Sequence, residues 1–432
     1  MGVNKPKGKW KKYISISLCL LAMGSIGYSL FQFQEFSKDN KIKVAALEAS
    51  QKQLVEKLTE ALKNTEDTTK SLKKETKKKG QEQPIEGKKQ LETVYGSYEE
   101  KAKEKMLSLS LEEKIGQLFL ARCPDVGAIE QIKSLKPGGY ILFGRDFKDK
   151  TKEEVIQTIK GYQEASTLPM LMAVDEEGGS VVRISNNPLL ADQPFKSPQE
   201  LDKLGGLKAV EEDTLTKGKL LKELGIQLNL APVADVTTEP TAYMYGRTFG
   251  KQALETAEYV ITVIKAVQKL KLASTLKHFP GYGENGDTHT DIVRDTRDIR
   301  SFREVDLIPF KMGIEEGVES ILVSHNIVEA MDKDYPASLS PKVHKLLREE
   351  LGFTGVIMTD DLAMEAINLY VKDSHPAVLA LKAGNDLLII SDLKGGYEAV
   401  REAVQRGELE IETIDQAVSR VLAWKYKIGI IN

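Results

Sequence analysis

A (β/α)8 barrel of the TIM type, preceded by a transmembrane helix and a helical or disordered linker, is the architecture this sequence predicts. Three observations carry that reading. From Ser110 to the end, short apolar runs alternate with amphipathic helical patterns, eight times in about 320 residues. A polar residue follows nearly every apolar run, at the strand end where barrels place their active sites. Before Ser110 the texture is different: an uncharged apolar run near the N-terminus, then a lysine-rich polar stretch.

The N-terminal part comes first. Lys5, Lys7, Lys9, Lys11 and Lys12 precede an uncharged run from Tyr13 to Gln34. At about 1.5 Å per residue that run crosses a hydrocarbon core of about 30 Å as a helix. Its basic flank argues that residues 1–12 stay in the cytoplasm. A cleaved signal peptide would end in a small-x-small site, which Ser29-Leu30-Phe31-Gln32-Phe33 does not offer. A lipoprotein signal on Cys19 would need a small residue where Leu18 stands. Residues 13–34 are therefore expected to be an uncleaved anchor in the cell membrane, with the rest of the chain extracytoplasmic.

Residues 35–105 are expected to be a charged linker. Leu47, Gln51, Leu54, Leu58 and Ala61 approximate a heptad seam, compatible with a short coiled coil and with self-association through it. The stretch from Lys70 to Lys89, with Gly80 and Pro84, reads equally as a solvated stalk. Either way the segment is a spacer. The charge is uneven: residues 1–105 hold 22 Lys, no Arg and 14 acidic residues, and residues 106–432 hold 39 basic and 50 acidic ones. The acidic second part argues against nucleic acid as its partner. Cys19 and Cys123 form no evident disulfide.

Residues 106–432 are expected to form the barrel. Ser110-Leu-Glu-Glu113 is a capping box that opens a helix. Strands are expected at Gln117 to Ala121, Gly139 to Phe143, Pro169 to Val174, Ile226 to Pro232, Ser274 to Leu276, Ser320 to Val323, Gly355 to Met358 and Asp386 to Ile390. Helical patterns lie between them at Thr151 to Glu164, Val210 to Leu224, Gln252 to Leu270 and Ser340 to Leu351, with a closing pattern at Glu412 to Ile428. A doubly wound sheet would announce a Gly-rich loop after its first strand. The match Gly281-Tyr-Gly-Glu-Asn-Gly286 lies deep in the chain with no helix opening after it. The polar residues after the strands are Arg145, Asp175 with Glu176, Asp235, Lys277 with His278, Ser324 with His325, Asp360 with Asp361, and Ser391 with Asp392.

One stretch concentrates the chemistry. From Ser274 to Asp291, a strand breaks at Pro280 and three glycines into a loop with Lys277, His278, Asp287, His289 and Asp291, holding two of the five histidines. In Asp287-Thr-His289 a carboxylate and an imidazole two residues apart share one side of an extended segment, so the carboxylate can orient the ring. The other reading of such a pair is a surface turn. Asp360 at a strand mouth can be a glycosidase nucleophile, a metal ligand or a helix cap. With Asp361 beside it, one aspartate can face the barrel mouth while the other supports. His344, His375, Trp10 and Trp424 read as structural or interfacial residues.

The stretches LSLEEKIGQLFL, GGYILFGRDF, AVDEEGGSVVR, LNLAPVADV, YGRTFG, KHFPGYGENGDTHTD, GFTGVIMTDDLAM and AGNDLL occur in this order along the expected barrel. By them the chain resembles the beta-N-acetylglucosaminidases of glycoside hydrolase family 3, in particular the single-domain peptidoglycan-processing type. The resemblance implies Asp360 as the nucleophile that forms a covalent glycosyl-enzyme, and Asp287 with His289 as the acid/base dyad. It implies Asp175, Arg247, Lys277 and His278 as groups that hold the sugar. Arg145 and Asp235 are further carry-overs, whose other readings are a rim salt bridge and a helix cap. His325 is a further pocket candidate.

The chain departs from the family pattern at Tyr282, where a histidine is usual, and at Glu176 and Ser180 in the third-strand loop. The chain also ends shortly after its eighth strand, so the proton donor is expected from the barrel's own loops.

The expected function is retaining exo-hydrolysis of terminal N-acetyl-beta-glucosaminyl linkages in peptidoglycan or its fragments, with no cofactor and no metal. A phosphorylase on the same residues remains the alternative. Less favoured are a metal-dependent hydrolase, which lacks H-x-H or H-E-x-x-H spacing, a Schiff-base aldolase on Lys277, and a non-catalytic scaffold.

Overall fold

The computed structural model describes residues 93–284, 286, 292–371 and 374–432. The expected cytoplasmic segment 1–12, the expected anchor 13–34 and residues 35–92 of the expected linker, with its heptad seam, lie outside the described residues. Among the described residues no helix is long and apolar enough to cross a membrane.

Eight short parallel strands carry the fold: β1 (Phe119–Arg122), β2 (Gly139–Leu142), β3 (Leu171–Val174), β4 (Leu228–Asn229), β5 (Ala273–Phe279), β6 (Ser320–Val323), β7 (Val356–Thr359) and β8 (Leu388–Ile390). They are ordered β8-β1-β2-β3-β4-β5-β6-β7, every neighbouring pair parallel. A parallel bridge between Met358 and Leu387 brings β7 back to β8, so the sheet closes on itself as expected. Nearly every strand residue is buried. Both faces of the sheet are covered, which is why these strands read as continuous apolar runs.

Helices fill the crossovers at the places their caps dictate. Ser110, Thr151 and Ser197 each cap a helix, and each makes a capping box with Glu113, Glu154 and Glu200. The helix Pro198–Glu223 begins well before the pattern seen in the sequence. Gly205 and Gly206 leave helical geometry within it and interrupt the periodicity that marks its second half. Trp424 is fully buried in the closing helix Ile411–Lys427. His375 caps the helix Pro376–Ala383, and His344 is buried against the Ser340 carbonyl, so both are structural as expected.

Residues 93–105 belong to the same compact unit as the barrel, although the sequence reads them as spacer. The helix Tyr98–Leu107 buries Ala102 and Met106. The buried Tyr95 hydroxyl donates to the Glu319 carbonyl at 2.8 Å and accepts from the Val356 N–H at 2.9 Å. Two sparse apolar contacts and one buried hydroxyl, set among lysines and glutamates, leave little periodic signal to read.

Candidate active site

A cleft of about 570 Å³ opens at the C-terminal ends of the strands, lined among others by Asp175, Arg247, Lys277, His278, Asp360 and Asp361. These six polar residues, all read from sequence as lying near strand ends or in the sugar site, are therefore brought to one surface or its edge from four strand ends of the barrel.

The cleft is built around β5. Consecutive strand residues normally face opposite sides, yet Lys277 and His278 both line the cleft. The β5–β6 ladder shifts register between Leu276 and Phe279, and such an irregularity re-aims side chains. Lys277 Nζ lies 2.6 Å from both Asp175 Oδ1 and Glu177 Oε1. Arg247 grips Glu177 with two bonds, Nε to Oε2 at 3.0 Å and Nη2 to Oε1 at 2.7 Å. Two cations thus meet two carboxylates.

Burial would push the Glu177 carboxyl up, but Lys277 and Arg247 outweigh it and hold it well below the carboxylate range. Burial would likewise lower Lys277, and Asp175 and Glu177 reverse that, so the amine stays charged. A protonated, doubly paired amine is a poor Schiff-base nucleophile, which disfavours the aldolase reading.

His278 is fixed from below by Asp235. Asp235 Oδ2 lies 2.8 Å from His278 Nδ1 and accepts the His278 backbone N–H at 3.0 Å, while Oδ1 accepts the Tyr282 N–H at 2.8 Å. The carboxylate acceptor assigns the proton to Nδ1 and leaves Nε2 as acceptor for Arg247 Nη2 at 3.3 Å. Asp235 is buried and orients His278. Tyr282 is buried with its ring edge-on to His278 at 5.3 Å, so this departure from the family pattern also lines the cleft.

The two aspartates after β7 differ in what holds them. Asp361 Oδ1 accepts the Ala363 N–H at 3.0 Å and Oδ2 accepts from Ser391 Oγ at 2.9 Å. Asp360 Oδ1 accepts the Asp361 N–H at 2.8 Å, and no described residue hydrogen-bonds its Oδ2. Burial would raise the Asp360 carboxyl, but His325, His278, the Asp361 N–H and Lys277 together keep it below its ordinary value. It is an ionised carboxylate at neutral pH. Asp361 is shifted upward, chiefly by burial.

His325 stands behind this pair. Its ring nitrogens lie 2.7 Å from Ser338 Oγ and 2.9 Å from the Asp361 carbonyl oxygen, so it steadies the backbone beside Asp360. Arg145 pairs with Asp125 at 2.8 Å and donates to the Cys123 carbonyl. It is not among the cleft's lining residues and takes the rim salt bridge that was its other reading. Glu176 is fully buried and accepts from the N–H groups of Arg183, Ile184 and Ser185 and from Ser185 Oγ, shaping the third-strand loop from behind. Ser180 is exposed at the cleft.

Asp287 and His289 lie outside the described residues, as does Asp291. The root of their loop is described. Gly281 has φ +117° and Gly283 φ +56°, and a Cβ on either would come within 2.6 Å of the Asp306 carboxylate or the Arg297 guanidinium. Arg297 bridges Asp295 and Asp306, so this root is clamped by a buried ion-pair cluster. Gly286 has no such constraint; its Cβ would meet only Val293 at 3.9 Å. Three alanine substitutions should therefore separate. Gly281→Ala and Gly283→Ala are expected to cost about 1–3 kcal/mol each in thermal unfolding, and Gly286→Ala to leave stability within about 0.5 kcal/mol. Equal losses at all three would contradict the clamp.

Sequence reasoning missed Glu177, the carboxylate that joins Lys277 to Arg247. The signal was present: in an extended run Asp175 and Glu177 share a side and Glu176 takes the other. It also missed Arg122, Arg183 and Tyr243, which line the cleft. Among the described residues no cluster of three His, Cys, Asp or Glu side chains could hold a metal ion.

Comparison with known proteins adds to this geometry. Residues 110–424 match the family model described as glycosyl hydrolase family 3 N terminal domain. A beta-hexosaminidase of Stenotrophomonas maltophilia is 32% identical over 293 residues, 66% of this chain and 85% of that protein. The beta-hexosaminidase LpqI of Mycobacterium tuberculosis is 28% identical over 328 residues, 73% of this chain and 83% of that one. Among solved structures, a family 3 beta-N-acetylglucosaminidase from a Paenibacillus species superposes with a TM-score of 0.70 at 30% identity. That match covers 75% of this chain and 63% of the Paenibacillus chain.

Proposed function

The chain belongs to glycosyl hydrolase family 3 and is a glycoside hydrolase of the beta-N-acetylhexosaminidase type, and we propose that it is a retaining exo-enzyme removing terminal N-acetyl-beta-glucosaminyl residues from peptidoglycan or its fragments. One observation supports this most. Asp360, ionised and with one oxygen unengaged by the described residues, stands in a cleft where Asp175, Lys277, Arg247 and His278 are fixed by pairing. A nucleophile must be charged and accessible, and the groups that bind sugar hydroxyls must not need reorganising.

In this reading Asp360 attacks the anomeric carbon, the leaving oxygen takes a proton from the Asp287–His289 dyad, and a covalent glycosyl-enzyme forms. The same dyad then activates the water that releases the sugar with net retention. Asp175, Lys277, Arg247 and His278 hold the sugar's hydroxyls and acetamide. Because Asp175 and Glu177 together balance the two cations and Asp235 sets the imidazole tautomer, this set is organised before substrate arrives.

The N-terminal run from Tyr13 to Gln34 supports a single-pass anchor, with the barrel extracytoplasmic and the seam from Leu47 to Ala61 available for self-association. One experiment tests both parts. The full chain, assayed on washed membranes, should cleave an aryl N-acetyl-beta-glucosaminide far better than the plain glucoside, with the activity staying in the membrane fraction. Preference for the plain glucoside would sink the substrate class, and activity released by an alkaline wash would sink the anchor.

A further inference from the structure

Three loops of the active-site face meet beside the cleft without lining it. The chain returns from the β5 loop at Arg294–Asp295, which pairs in parallel with Ile327–Val328 just beyond β6. Arg294 Nη1 donates to the Lys333 carbonyl at 3.3 Å and lies 3.6 Å from Glu329 Oε1. After β7, Met364 lines the cleft and opens the helix Glu365–Tyr370. Tyr370 ends that helix, about 9 Å further on at the usual rise per residue, and its hydroxyl donates to the Asp334 carbonyl. Tyr335 thereby faces Tyr370, with ring centres 6.1 Å apart and planes tilted by 57°. Neither tyrosine is among the residues that line the cleft.

The aromatic pair is exposed, yet it stands on a pinned loop. Tyr335 is 41% exposed and the neighbouring Leu369 44%. Buried Asp332 holds the loop from within: its Oδ2 accepts from Ser340 Oγ at 2.7 Å, and its Oδ1 from Lys342 Nζ and the Asp334 N–H, both at 3.2 Å. Pro336, next to Tyr335, is buried as well. Rings held this way offer an apolar face and lose little freedom when something packs on them. Arg294, Glu329, Lys333 and Asp334 stand exposed around them. An apolar face with a rim of hydrogen-bonding groups matches a pyranose ring, which has a C–H face and a rim of hydroxyls. The rim charges are of both signs, so they select no net charge and suit neutral hydroxyls.

We propose that Tyr335 and Tyr370 form a saccharide platform outside the cleft, on which the leaving-side part of the glycan stacks while its terminal sugar is cleaved. This rests on the glycosidase reading above and deepens it. In an exo-enzyme only the terminal sugar enters the cleft, and the rest of the chain departs on the side where the acid/base group protonates the leaving oxygen. In that reading the group belongs to the β5 loop, and Arg294, at the return of this loop, bonds to the loop that carries Tyr335. The pair therefore flanks the side of the cleft on which the remaining glycan leaves.

The full chain and its Tyr335→Ala variant decide it on three substrates: an aryl N-acetyl-beta-glucosaminide, the β-1,4-linked trimer of N-acetylglucosamine, and a disaccharide bearing a short peptide on its second ring. If the platform takes sugar, Tyr335→Ala lowers kcat/KM on the trimer about fivefold or more relative to the aryl substrate, the loss expected for one aromatic stacking contact. Tyr335→Phe, which keeps the ring and removes only the hydroxyl, stays near the unmodified protein on the trimer. Equal losses on the trimer and the aryl substrate, or none on either, overturn the proposal, as does a phenylalanine variant as impaired as the alanine one. A loss confined to the peptide-bearing substrate overturns it too, because the pair would then be a peptide site. Asp360→Asn run alongside separates the two failures: full activity there would remove the glycosidase assignment itself, whereas an unselective Tyr335 variant beside an inactive Asp360→Asn removes only the platform.

Discussion

Replacing Asp360 with asparagine is expected to lower kcat on an aryl N-acetyl-beta-glucosaminide by a factor on the order of 10⁴, about 5.5 kcal/mol of transition-state stabilisation. The amide is nearly isosteric and can still accept the Asp361 N–H that Asp360 Oδ1 now accepts at 2.8 Å, so the strand end should keep its shape. What it loses is the charge and the nucleophilic oxygen. The folded protein maintains that charge against burial through His325, His278, the Asp361 N–H and Lys277. Asp361→Asn is the natural contrast, because its carboxylate is already occupied by Ala363 and Ser391. Steady-state kinetics of the two variants side by side check the assignment. A larger loss at Asp361 than at Asp360 would reverse it.

The second large effect is expected at Glu177. Its carboxylate is buried and sits between Lys277 and Arg247, accepting the Arg247 pair at 3.0 and 2.7 Å with Lys277 Nζ at 2.6 Å. Glu177→Gln leaves two cations in the barrel mouth with Asp175 as their sole paired carboxylate among the described residues. Breaking a buried ion pair from one side costs about 3–5 kcal/mol, which for a domain of this size lowers Tm by roughly 6–15 °C. Activity should fall with it, by about 10²-fold at a temperature where the variant is folded, because Lys277 and Arg247 no longer hold their positions. Thermal unfolding and kinetics on one preparation read both quantities. A Tm within about 2 °C of the unmodified protein would show that the network is not the support described here.

How much of this was legible in the sequence follows from which forces act locally. Barrel strands buried on both faces show themselves as apolar runs, and capping boxes such as Ser110 with Glu113 mark helix starts within a few residues. The strand-end rule placed Asp175, Lys277, His278 and Asp360 at one mouth because barrel geometry fixes which end of each strand carries the site. Pairing between those ends is a different matter. The Glu177–Arg247 contact spans 70 residues and the Tyr95–Val356 contact 261, and no local period encodes them. Arg122 ends β1 and Arg145 follows β2, and sequence position does not tell which of them meets a carboxylate. Only the fold shows that Arg145 finds Asp125 while Arg122 finds no carboxylate among the described residues. The helix Tyr98–Leu107 was read as spacer for the same reason, since its burial depends on a surface formed by the far end of the chain.

The central claim is that Asp360 becomes covalently bonded to the sugar, and one measurement reaches it directly. The full chain is incubated with a fluorinated N-acetyl-beta-glucosaminyl donor that forms the glycosyl-enzyme quickly and hydrolyses it slowly, then digested and sequenced by mass spectrometry. The account predicts one sugar per chain, on the peptide containing Thr359-Asp360-Asp361, with fragment ions placing it on Asp360 and no adduct in Asp360→Asn. An adduct on any other residue, or full turnover of the donor through an Asp360→Asn protein, would contradict it.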